Sequence, residues 1–572
     1  MFVPKLVSTL RGYDRAQFTD DAVAGVIVGI IALPLAIAFA IASGVTPDRG
    51  LWTAIVGGFL ISALGGSRVQ IGGPTGAFVV IVYGIIQKFG IDGLTVATFM
   101  AGVILVCMGI AKFGSVIKFI PTAVITGFTS GIAVIIFSGE VKDFLGLKMG
   151  TVPAPFLAKL QAYAMHSGGA TPEAVAVGVA ALTIILAWPK VSHRIPGPFI
   201  ALIVTTVAAQ VLHLPVETIG SRFGAIAASV PHPVMPHLSV EQMMSLVGPA
   251  FTIAFLAAVE SLLSAVVADG MIGGRHRSNM ELVAQGVANI VSPLFGGIPA
   301  TGAIARTATN VKNGGRTPVA GMVHALTLLV ITLFAGRWAA YIPMATLGAI
   351  LVVVAYHMSE WRSFRDELRA PKSDVAVLLA TFLLTVLVDL TVAIEVGMAL
   401  AAALFIRRMA TVSNVALVTQ ELEDDLREEP EYFNRNVVPP GVEVYEITGP
   451  FFFGAVAAFK DTLTRIGKKP RILIIRMRHV SALDSSGLRA LSDVVHRTKG
   501  DGTLVFLAEV HMQPLVALTG SATLDEIGTD HMFGDVSLAL AAARDVIDRD
   551  DAAKTLRHAE HGNEKISGSE TG

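Results

Sequence analysis

Apolar segments of membrane-spanning length fill most of this chain between residues 22 and 408. A helix needs roughly 20 apolar residues to cross a bilayer, and short polar loops separate about fourteen such segments here. The chain is 53% hydrophobic and 15% charged, with a mean hydropathy of +0.66, which is not the composition of a soluble protein. The sequence therefore predicts an α-helical polytopic membrane protein. The predicted spans are 22–43, 50–66, 75–88, 92–112, 120–140, 173–189, 196–212, 247–269, 281–296, 302–313, 317–336, 344–358, 373–389 and 391–407.

Basic residues are divided unevenly between the two sides of this predicted membrane domain, 22–410. An even number of spans puts both termini on one side, and that side collects about eighteen Lys and Arg residues against about seven on the other. Because cytoplasmic loops carry the excess of positive charge, both termini are predicted to be cytoplasmic, with the protein in the inner (plasma) membrane. Residues 1–21 are polar, unlike a cleavable signal, and form the predicted cytoplasmic N-terminus.

The tripeptide Thr-Gly-Ala occurs twice inside apolar sequence, each time shortly after a Gly-Gly pair and a proline. The copies are Thr75-Gly76-Ala77 and Thr301-Gly302-Ala303. Helix breaks at membrane depth are tolerated where they line a cavity. The copies fall in the third and tenth spans, which predicts a seven-plus-seven inverted repeat of a transporter. A half-helix starting at each Thr would expose backbone N–H groups and a positive dipole end, so the pair predicts one anion site.

Two charged residues lie where a membrane domain rarely tolerates charge. Arg306 follows the second tripeptide by one short turn, and we interpret it as an anion ligand, because a guanidinium can hold two oxygens. The alternative is an ion pair with Glu260 that locks two helices. Glu260, in the middle of the eighth span, is a candidate proton-coupling group, since a carboxyl shielded from water can hold a proton. It could instead stay ionised beside Arg306 or cap unwound backbone. Ser264, one turn further on, could share the site.

Weaker signals complete the membrane domain. Phe39 in the first span and Phe78 in the third would flank the cavity, although packing is the common role of apolar aromatics. Cys107 is the only cysteine, the histidines lack metal-ligand spacing, and no phosphate-binding loop motif occurs. The net charge of −1 gives no argument for a nucleic-acid partner. We therefore expect no metal, no cofactor and no enzyme activity.

The character of the chain changes after Arg408. Residues 411–438 include an acidic run and are predicted to be a linker, whereas 439–550 alternate strand and helix patterns, which predicts a small α/β domain. Residues 551–572 are predicted to be a disordered tail. The motif Asp484-Ser485-Ser486-Gly487 follows a strand and precedes a helix. Its roles are either simple helix capping or regulatory phosphorylation and partner docking.

Six fragments in order resemble the sulfate permease, or SulP, family of anion transporters. The resemblance implies core and gate domains within the fourteen spans, a cytoplasmic STAS domain at the C-terminus, a homodimer, and an elevator-like displacement of the core. It also implies an anion site built from both tripeptides with Phe39, Phe78, Glu260 and Arg306, and it makes Ser485 the candidate regulatory phosphorylation site. The fragments are ALPLAIAFAIASGV, GGPTGAF, VESLLSAVVADG, ELVAQGVANI, GGIPATGAIART and VSALDSSG.

The substrate is predicted from finer similarity. GFTSGI and KDFLGL look most like the DauA-type carriers of four-carbon dicarboxylates. Sodium-dependent bicarbonate members usually carry Asp and Thr at Glu260 and Ser264, and a hydroxyl residue at Ile304, so this chain lacks expected sodium ligands. The prediction is proton-coupled uptake of succinate or fumarate by an elevator mechanism. The alternatives are a sodium- or proton-coupled bicarbonate or sulfate transporter, a passive anion channel, or a membrane-anchored signalling protein. The predicted partners are the anion, the proton, the lipid bilayer, a second copy, and a cytosolic regulator at the STAS domain.

Overall fold

A computed structural model of the chain describes residues 2–115, 120–150, 152–153, 155–192, 196–224, 230–234, 240–417, 438–464 and 469–567. They form two compact units, Met1–Ala401 and Ala402–Gly572. We call these the membrane unit and the C-terminal unit and describe each by itself. The acidic segment of the predicted linker, from residue 418 to 437, lies outside the described residues.

The membrane unit is helical, with one pair of two-residue strands. The helices are α1 (Lys5–Thr9), α2 (Arg15–Ala42), α3 (Pro47–Trp52), α4 (Gly58–Leu64), α5 (Gly76–Ile110), α6 (Thr122–Leu145), α7 (Phe156–His166), α8 (Pro172–Ala187), α9 (Gly197–Val211), α10 (Ile219–Phe223), α11 (Val240–Ser245), α12 (Val247–Ile272), α13 (Ser278–Val291), α14 (Ile304–Lys312), α15 (Pro318–Ala335), α16 (Met344–Met358), α17 (Trp361–Glu367), α18 (Lys372–Leu387) and α19 (Leu390–Val412). The last residues of α19 belong to the C-terminal unit. A π-helical turn, Thr53–Gly57, joins α3 to α4. The strands are β1 (Gly72–Gly73) and β2 (Thr301–Gly302).

Each apolar segment predicted from the sequence coincides with a helical stretch of the structure. In the described residues, eight helical segments are long and apolar enough to cross a membrane, and Gly197–Val211 is a shorter apolar helix. The third and fourth predicted spans are the two helical parts of α5, which are separated, as predicted, by a break at Gly90, where φ is 68° and ψ is −170°. Helix α14 extends only about 14 Å along its axis, less than half of a bilayer core. The number of crossings therefore stays a prediction.

The helices of the membrane unit pack in two groups. One group contains α2, α4, α5 and α12–α15, and the other contains α6, α8, α9, α16 and α18, while α2 also contacts α9 and α16. Close packing in the first group depends on glycine. A Cβ on Gly102 of α5 would lie 2.7 Å from the carbonyl oxygen of Gly286 on α13, so the two backbones approach as small residues allow in membrane proteins. The first group holds β1 and β2 between its helices.

The C-terminal unit contains a five-stranded sheet in the order β3-β4-β5-β6-β7. Strand β3 is antiparallel to β4, and the other neighbours are parallel. The strands are β3 (Asn414–Leu417), β4 (Val442–Thr448), β5 (Ile472–His479), β6 (Leu504–Ala508) and β7 (Met532–Phe533); the helices are α20 (Phe453–Thr464), α21 (Ser485–Gly500), α22 (Met512–Thr519), α23 (Ala522–Ile527) and α24 (Val536–Ser567). This is the α/β fold that the sequence predicts for residues 439–550. The prediction of a linker at 411–438 is wrong at its start, because α19 continues to Val412 and β3 adds an edge strand to the sheet.

Both faces of this sheet are buried, because successive side chains of a strand point to opposite faces. Leu473 and Ile475 of β5 pack in one cluster with Phe451, whereas Ile472 and Ile474 pack in a second cluster with residues of α24. A parallel strand covered on both faces is expected to be apolar throughout, as the segment ILII of β5 is.

The prediction of a disordered tail at 551–572 is wrong for most of that segment. Helix α24 continues through residue 551 and ends at Ser567. The segment is rich in Ala, Lys, Leu, Arg and Glu, which are strong helix formers, so a helix that is already nucleated against the sheet can extend through it. Residues 568–572 lie outside the described residues.

Candidate functional site

The two breaks predicted from the sequence meet in the structure. Strands β1 and β2 pair antiparallel, with Gly72 opposite Gly302 and Gly73 opposite Thr301. Helix α5 begins directly after the first strand and α14 directly after the second. Adjacent strands lie about 5 Å apart, so the N-termini of α5 and α14 are brought close together at one place inside the first helix group.

The two copies of Thr-Gly-Ala do not occupy equivalent positions. Gly73 lies opposite Thr301, and the two helix starts align Thr75, the N-cap residue of α5, with Ala303, the N-cap residue of α14, and not with Thr301. The expectation that a half-helix starts at each Thr is therefore correct for Thr75, the N-cap residue of α5, and wrong for Thr301, which lies in β2.

Contacts with the neighbouring helices α12 and α13 determine the position of the second copy. Asn289 of α13 binds the backbone of Ala300 twice: its Nδ2 donates to the carbonyl oxygen at 2.8 Å, and its Oδ1 accepts from the N–H at 2.8 Å. The hydroxyl of Thr301 is buried and donates to the carbonyl oxygen of Ala257 on α12, at 3.0 Å. These contacts hold the second copy in an extended conformation, so that its Thr lies two residues before the N-cap of its helix, whereas the Thr of the first copy is itself the N-cap.

Neither helix end is capped by its own side chain. Thr75 has extended backbone angles, but its hydroxyl does not accept a hydrogen bond from the first turn of α5. The N-cap residue of α14 is Ala303, which has no polar side chain. Backbone N–H groups in the first turn of a helix have no partner within the helix. Both ends therefore offer donors, and the positive ends of two helix dipoles, to an anion.

Arg306 and Glu260 contact consecutive residues, Pro74 and Thr75. The guanidinium of Arg306, which is 3% exposed, donates from Nη2 to the carbonyl oxygen of Pro74, and its Nη1 has no hydrogen-bond partner. Glu260 of α12 accepts a hydrogen bond at 2.8 Å from the hydroxyl of Thr75. Among the described residues no direct salt bridge joins Arg306 to Glu260. The alternative of a locking ion pair is therefore not what this structure contains.

Glycine is required at Gly73 for two reasons. Its φ of 150° lies in the region that favours glycine, and a Cβ there would be 2.6 Å from Nη1 of Arg306. The guanidinium can reach the carbonyl oxygen of Pro74 because the neighbouring strand has no side chain at this point.

The two predicted aromatic residues differ in position. Phe39 of α2 borders the start of α5: a Cβ on Gly76 would lie 3.3 Å from its ring and 2.7 Å from the sulfur of Met358. Phe78 is completely buried and belongs to the apolar core. Phe39 is therefore placed beside the candidate site, whereas Phe78 supports the helix that carries it.

Sequence reasoning missed Thr307, which follows Arg306 directly. Its hydroxyl accepts a hydrogen bond from the N–H of Ile71 at 3.1 Å and lies 3.1 Å from the hydroxyl of Ser264. Ser264 is thus joined to the site region through Thr307. Nothing in a single Ala-Arg-Thr sequence separates such a threonine from a surface one, so only the fold could identify it.

Ser485 of the C-terminal unit is exposed at the first position of α21. The preceding Asp484 caps this helix by accepting from the N–H of Gly487 at 2.7 Å. Ser485, Ser486, Lys460 and Arg489 line an open pocket of about 400 Å³. The capping role of the motif is present, and phosphorylation of Ser485 stays a prediction.

Comparison with known proteins agrees with this architecture. Residues 18–381 match the Sulfate permease family, and residues 435–539 match the STAS domain. The Bacillus subtilis (strain 168) protein named "Putative sulfate transporter YvdB" is 42% identical over 91% of this chain and 97% of that protein. The "Bicarbonate transporter BicA" of Picosynechococcus sp. (strain ATCC 27264 / PCC 7002 / PR-6) is 32% identical over 77% of this chain and 79% of that protein.

A solved structure of SLC26A9 has the same fold, with a TM-score of 0.83 over 96% of this chain and 93% of that one, at 19% identity. The family match covers well over half of the chain, and it includes both strands and both helix ends of the candidate site. The chain therefore belongs to the sulfate permease family: it is a multi-pass secondary anion transporter with a C-terminal STAS domain, and not an enzyme.

Proposed function

We propose that this protein imports a small inorganic oxyanion, sulfate or bicarbonate, bound between the N-termini of α5 and α14. The observation that carries the proposal is the meeting of two uncapped helix ends beside Arg306, which has an unused Nη1 group. Helix ends and guanidinium groups are the usual protein ligands of oxyanions. Two helices that leave adjacent strands are close enough for one compact anion to accept hydrogen bonds from both.

The names of similar proteins support this choice of substrate class. The four-carbon dicarboxylates predicted from the sequence are not supported by the names of the similar proteins, which are sulfate and bicarbonate transporters. Sulfate is the first candidate because its named relative is 42% identical over nearly the whole chain. Bicarbonate is the second because BicA is 32% identical.

We propose that a proton accompanies the anion, carried by Glu260. The hydrogen bond between Glu260 and Thr75 joins this carboxyl to the first helix end, so its protonation and the occupancy of the site should affect each other. A protonated Glu260 would also remove a negative charge from beside the incoming anion. Sodium is the alternative coupling ion.

The architecture supports a moving carrier. The two groups of helices would be the core and gate domains of a seven-plus-seven inverted repeat, with the site inside the first group. The core would move past the gate in an elevator-like displacement. Both termini would be cytoplasmic, the protein would be a homodimer in the inner membrane, and the STAS domain would receive a cytosolic regulator near Ser485.

Transport by the purified full-length protein in liposomes tests this function. Labelled sulfate, bicarbonate and succinate would be supplied separately under a proton gradient and under a sodium gradient. We expect an inward proton gradient to drive sulfate or bicarbonate uptake and to drive succinate poorly. Uptake that follows sodium and ignores pH would contradict proton coupling, and a conductance far above carrier turnover would indicate a channel.

A matched pair of variants tests the role of Glu260. Glu260→Gln should uncouple uptake from the proton gradient. Glu395→Gln makes the same chemical change at an exposed position of α19 and should leave the coupling unchanged. Equal effects of the two substitutions would contradict the assignment.

A further inference from the structure

A histidine behind the candidate anion site has no assigned role. His324 lies near the middle of α15, is completely buried, and has no hydrogen-bond partner at either ring nitrogen. Buried polar groups in proteins are nearly always paired, and an unpaired one needs an explanation.

The imidazole faces the strand pair that carries the site. A Cβ placed on Gly58 of α4 would lie 3.7 Å from Cε1 of His324 and 2.9 Å from the carbonyl oxygen of Gly72 in β1. The next residue of the strand, Gly73, lies against Nη1 of Arg306. His324 and Arg306 therefore lie near neighbouring residues of β1.

Other charged groups near α15 lie toward its ends. The elements that pack against it are α1, α2, α4, the π-helical turn and the turn Gly336–Tyr341. Asp21 of α2 accepts hydrogen bonds from Thr317, about 10 Å from His324 along the helix axis. Arg337 is about 20 Å away in the opposite direction. The remaining charged residues of these elements lie at or near the same end of α15 as Asp21 does; they are Lys5, Arg15 and Asp20.

Polar side chains lead from the site toward His324. Gln70 is buried against Gly302 of β2, and neither its Nε2 nor its Oε1 has a partner. Ser62 donates to the backbone oxygen of Gln70 at 3.4 Å and lies against Gly321, one turn from His324. Polar groups without protein partners are where buried water binds. Gln70 and Ser62 therefore lie between β2 and α15, where water bound to them would complete a polar route for a proton.

We propose that His324 binds a proton when the anion binds beside Arg306, and releases it when the anion leaves. This inference rests on the proposed function. When the site is empty, burial disfavours a positive charge on the imidazole, and the fixed charge of Arg306 disfavours it further. A bound oxyanion offsets that charge, so His324 can accept a proton on one ring nitrogen while the other keeps its own. By linkage, a lower pH should then tighten anion binding. His324 would act with Glu260 and without touching the anion.

Proton uptake on anion binding tests this role. Sulfate would be added to the full-length protein in weakly buffered detergent solution near pH 7, and the protons taken up per sulfate bound would be counted. We expect His324→Gln to remove about half of the uptake, Glu260→Gln to remove the rest, and the double variant to take up none. His357→Gln, at an exposed position of α16, is the control and should change nothing. Unchanged proton uptake in His324→Gln would overturn the inference.

Two further measurements separate a chemical role from a structural one. In liposomes, His324→Gln should flatten the pH dependence of sulfate KM, whereas a purely structural defect would lower the amount of active protein at every pH. If His324→Gln does not fold, the proton uptake of Glu260→Gln on sulfate binding is the deciding measurement. Proton uptake that remains in Glu260→Gln supports the role of His324, and complete loss of it overturns that role. If the wild-type protein moves neither sulfate nor bicarbonate, the proposed function fails. If it moves them with an unchanged proton count in His324→Gln, only this inference fails.

Discussion

The two strand-to-helix breaks of the membrane unit share a tripeptide but use it differently. At the first break, Thr75 is the N-cap of α5 and its hydroxyl binds Glu260. At the second break, Thr301 is part of a strand and its hydroxyl binds the backbone of α12. The guanidinium comes from the second break, because Arg306 lies on α14 and donates a hydrogen bond to Pro74 of the first break.

This difference teaches that the site is assembled from unlike halves. The first break contributes the hydroxyl that contacts the acidic residue, and the second contributes the basic residue and an uncapped helix end. An inverted repeat supplies two helix ends by symmetry, but coupling an anion to a proton needs groups of different chemistry around one ligand.

Removal of the Arg306 guanidinium is expected to have the largest effect on sulfate uptake. Arg306→Gln should lower sulfate uptake by about 100-fold, which corresponds to about 3 kcal/mol for a lost charge-assisted hydrogen bond. Uptake into liposomes, corrected for the amount of folded protein, is the measurement. Arg365→Gln changes an exposed arginine of α17 and should have no effect. Wild-type uptake by Arg306→Gln would mean that the helix ends alone bind the anion.

The next effect concerns the strand residue that Arg306 packs against. Gly73→Ala forces a Cβ into a backbone conformation that favours glycine and against Nη1 of Arg306, so uptake should fall about tenfold and stability by about 1–2 kcal/mol. Gly84→Ala, on α5 with nothing within 4 Å of its Cβ, is the control. Thermal unfolding and uptake would both be measured. If the two variants behave alike, the close approach at Gly73 is not needed.

The two threonines provide the direct test of the comparison. Thr75→Val removes the hydrogen bond to Glu260 and should change the pH dependence of uptake, with a several-fold loss of rate. Thr301→Val removes a buried bond to backbone and should cost about 1 kcal/mol of stability while leaving the pH profile unchanged. Uptake from pH 5 to 8 and thermal unfolding distinguish them. Identical pH profiles for the two variants would show that the copies act alike.

The smallest effect tests the uncapped end of α14. Ala303→Ser places a hydroxyl at the N-cap, where it can accept from a first-turn N–H and compete with the anion. We expect a gain of about 0.5–1 kcal/mol in stability together with a several-fold weaker affinity for sulfate. Ala303→Gly adds no competing acceptor and should leave the affinity near that of wild type. A tighter affinity in Ala303→Ser would contradict the assignment of this end to the anion.

Much of the fold could be predicted because hydropathy is local. Each predicted apolar segment coincides with helical structure, and the alternating pattern after residue 439 gives the α/β unit. The tail was predicted wrongly because charged composition suggests disorder, whereas α24 extends a helix that already packs against the sheet.

The candidate site could be predicted only in part. A buried arginine and a mid-span carboxylate are visible in sequence because charge at membrane depth is costly. Thr307, Gln70 and His324 were not visible, because Thr, Gln and His occur in many other places along the chain and only burial without a partner sets the last two apart.

By itself, the sequence determined that this chain is a polytopic membrane protein with a soluble α/β unit, and that two glycine-rich breaks would come together near Arg306 and Glu260. Those conclusions depend on composition and on the cost of charge and unpaired backbone in lipid. Only the tertiary structure decided the alignment of the breaks. Strand register is set by contacts from other helices, here by Asn289 and Ala257, and no pattern of three small residues can encode them.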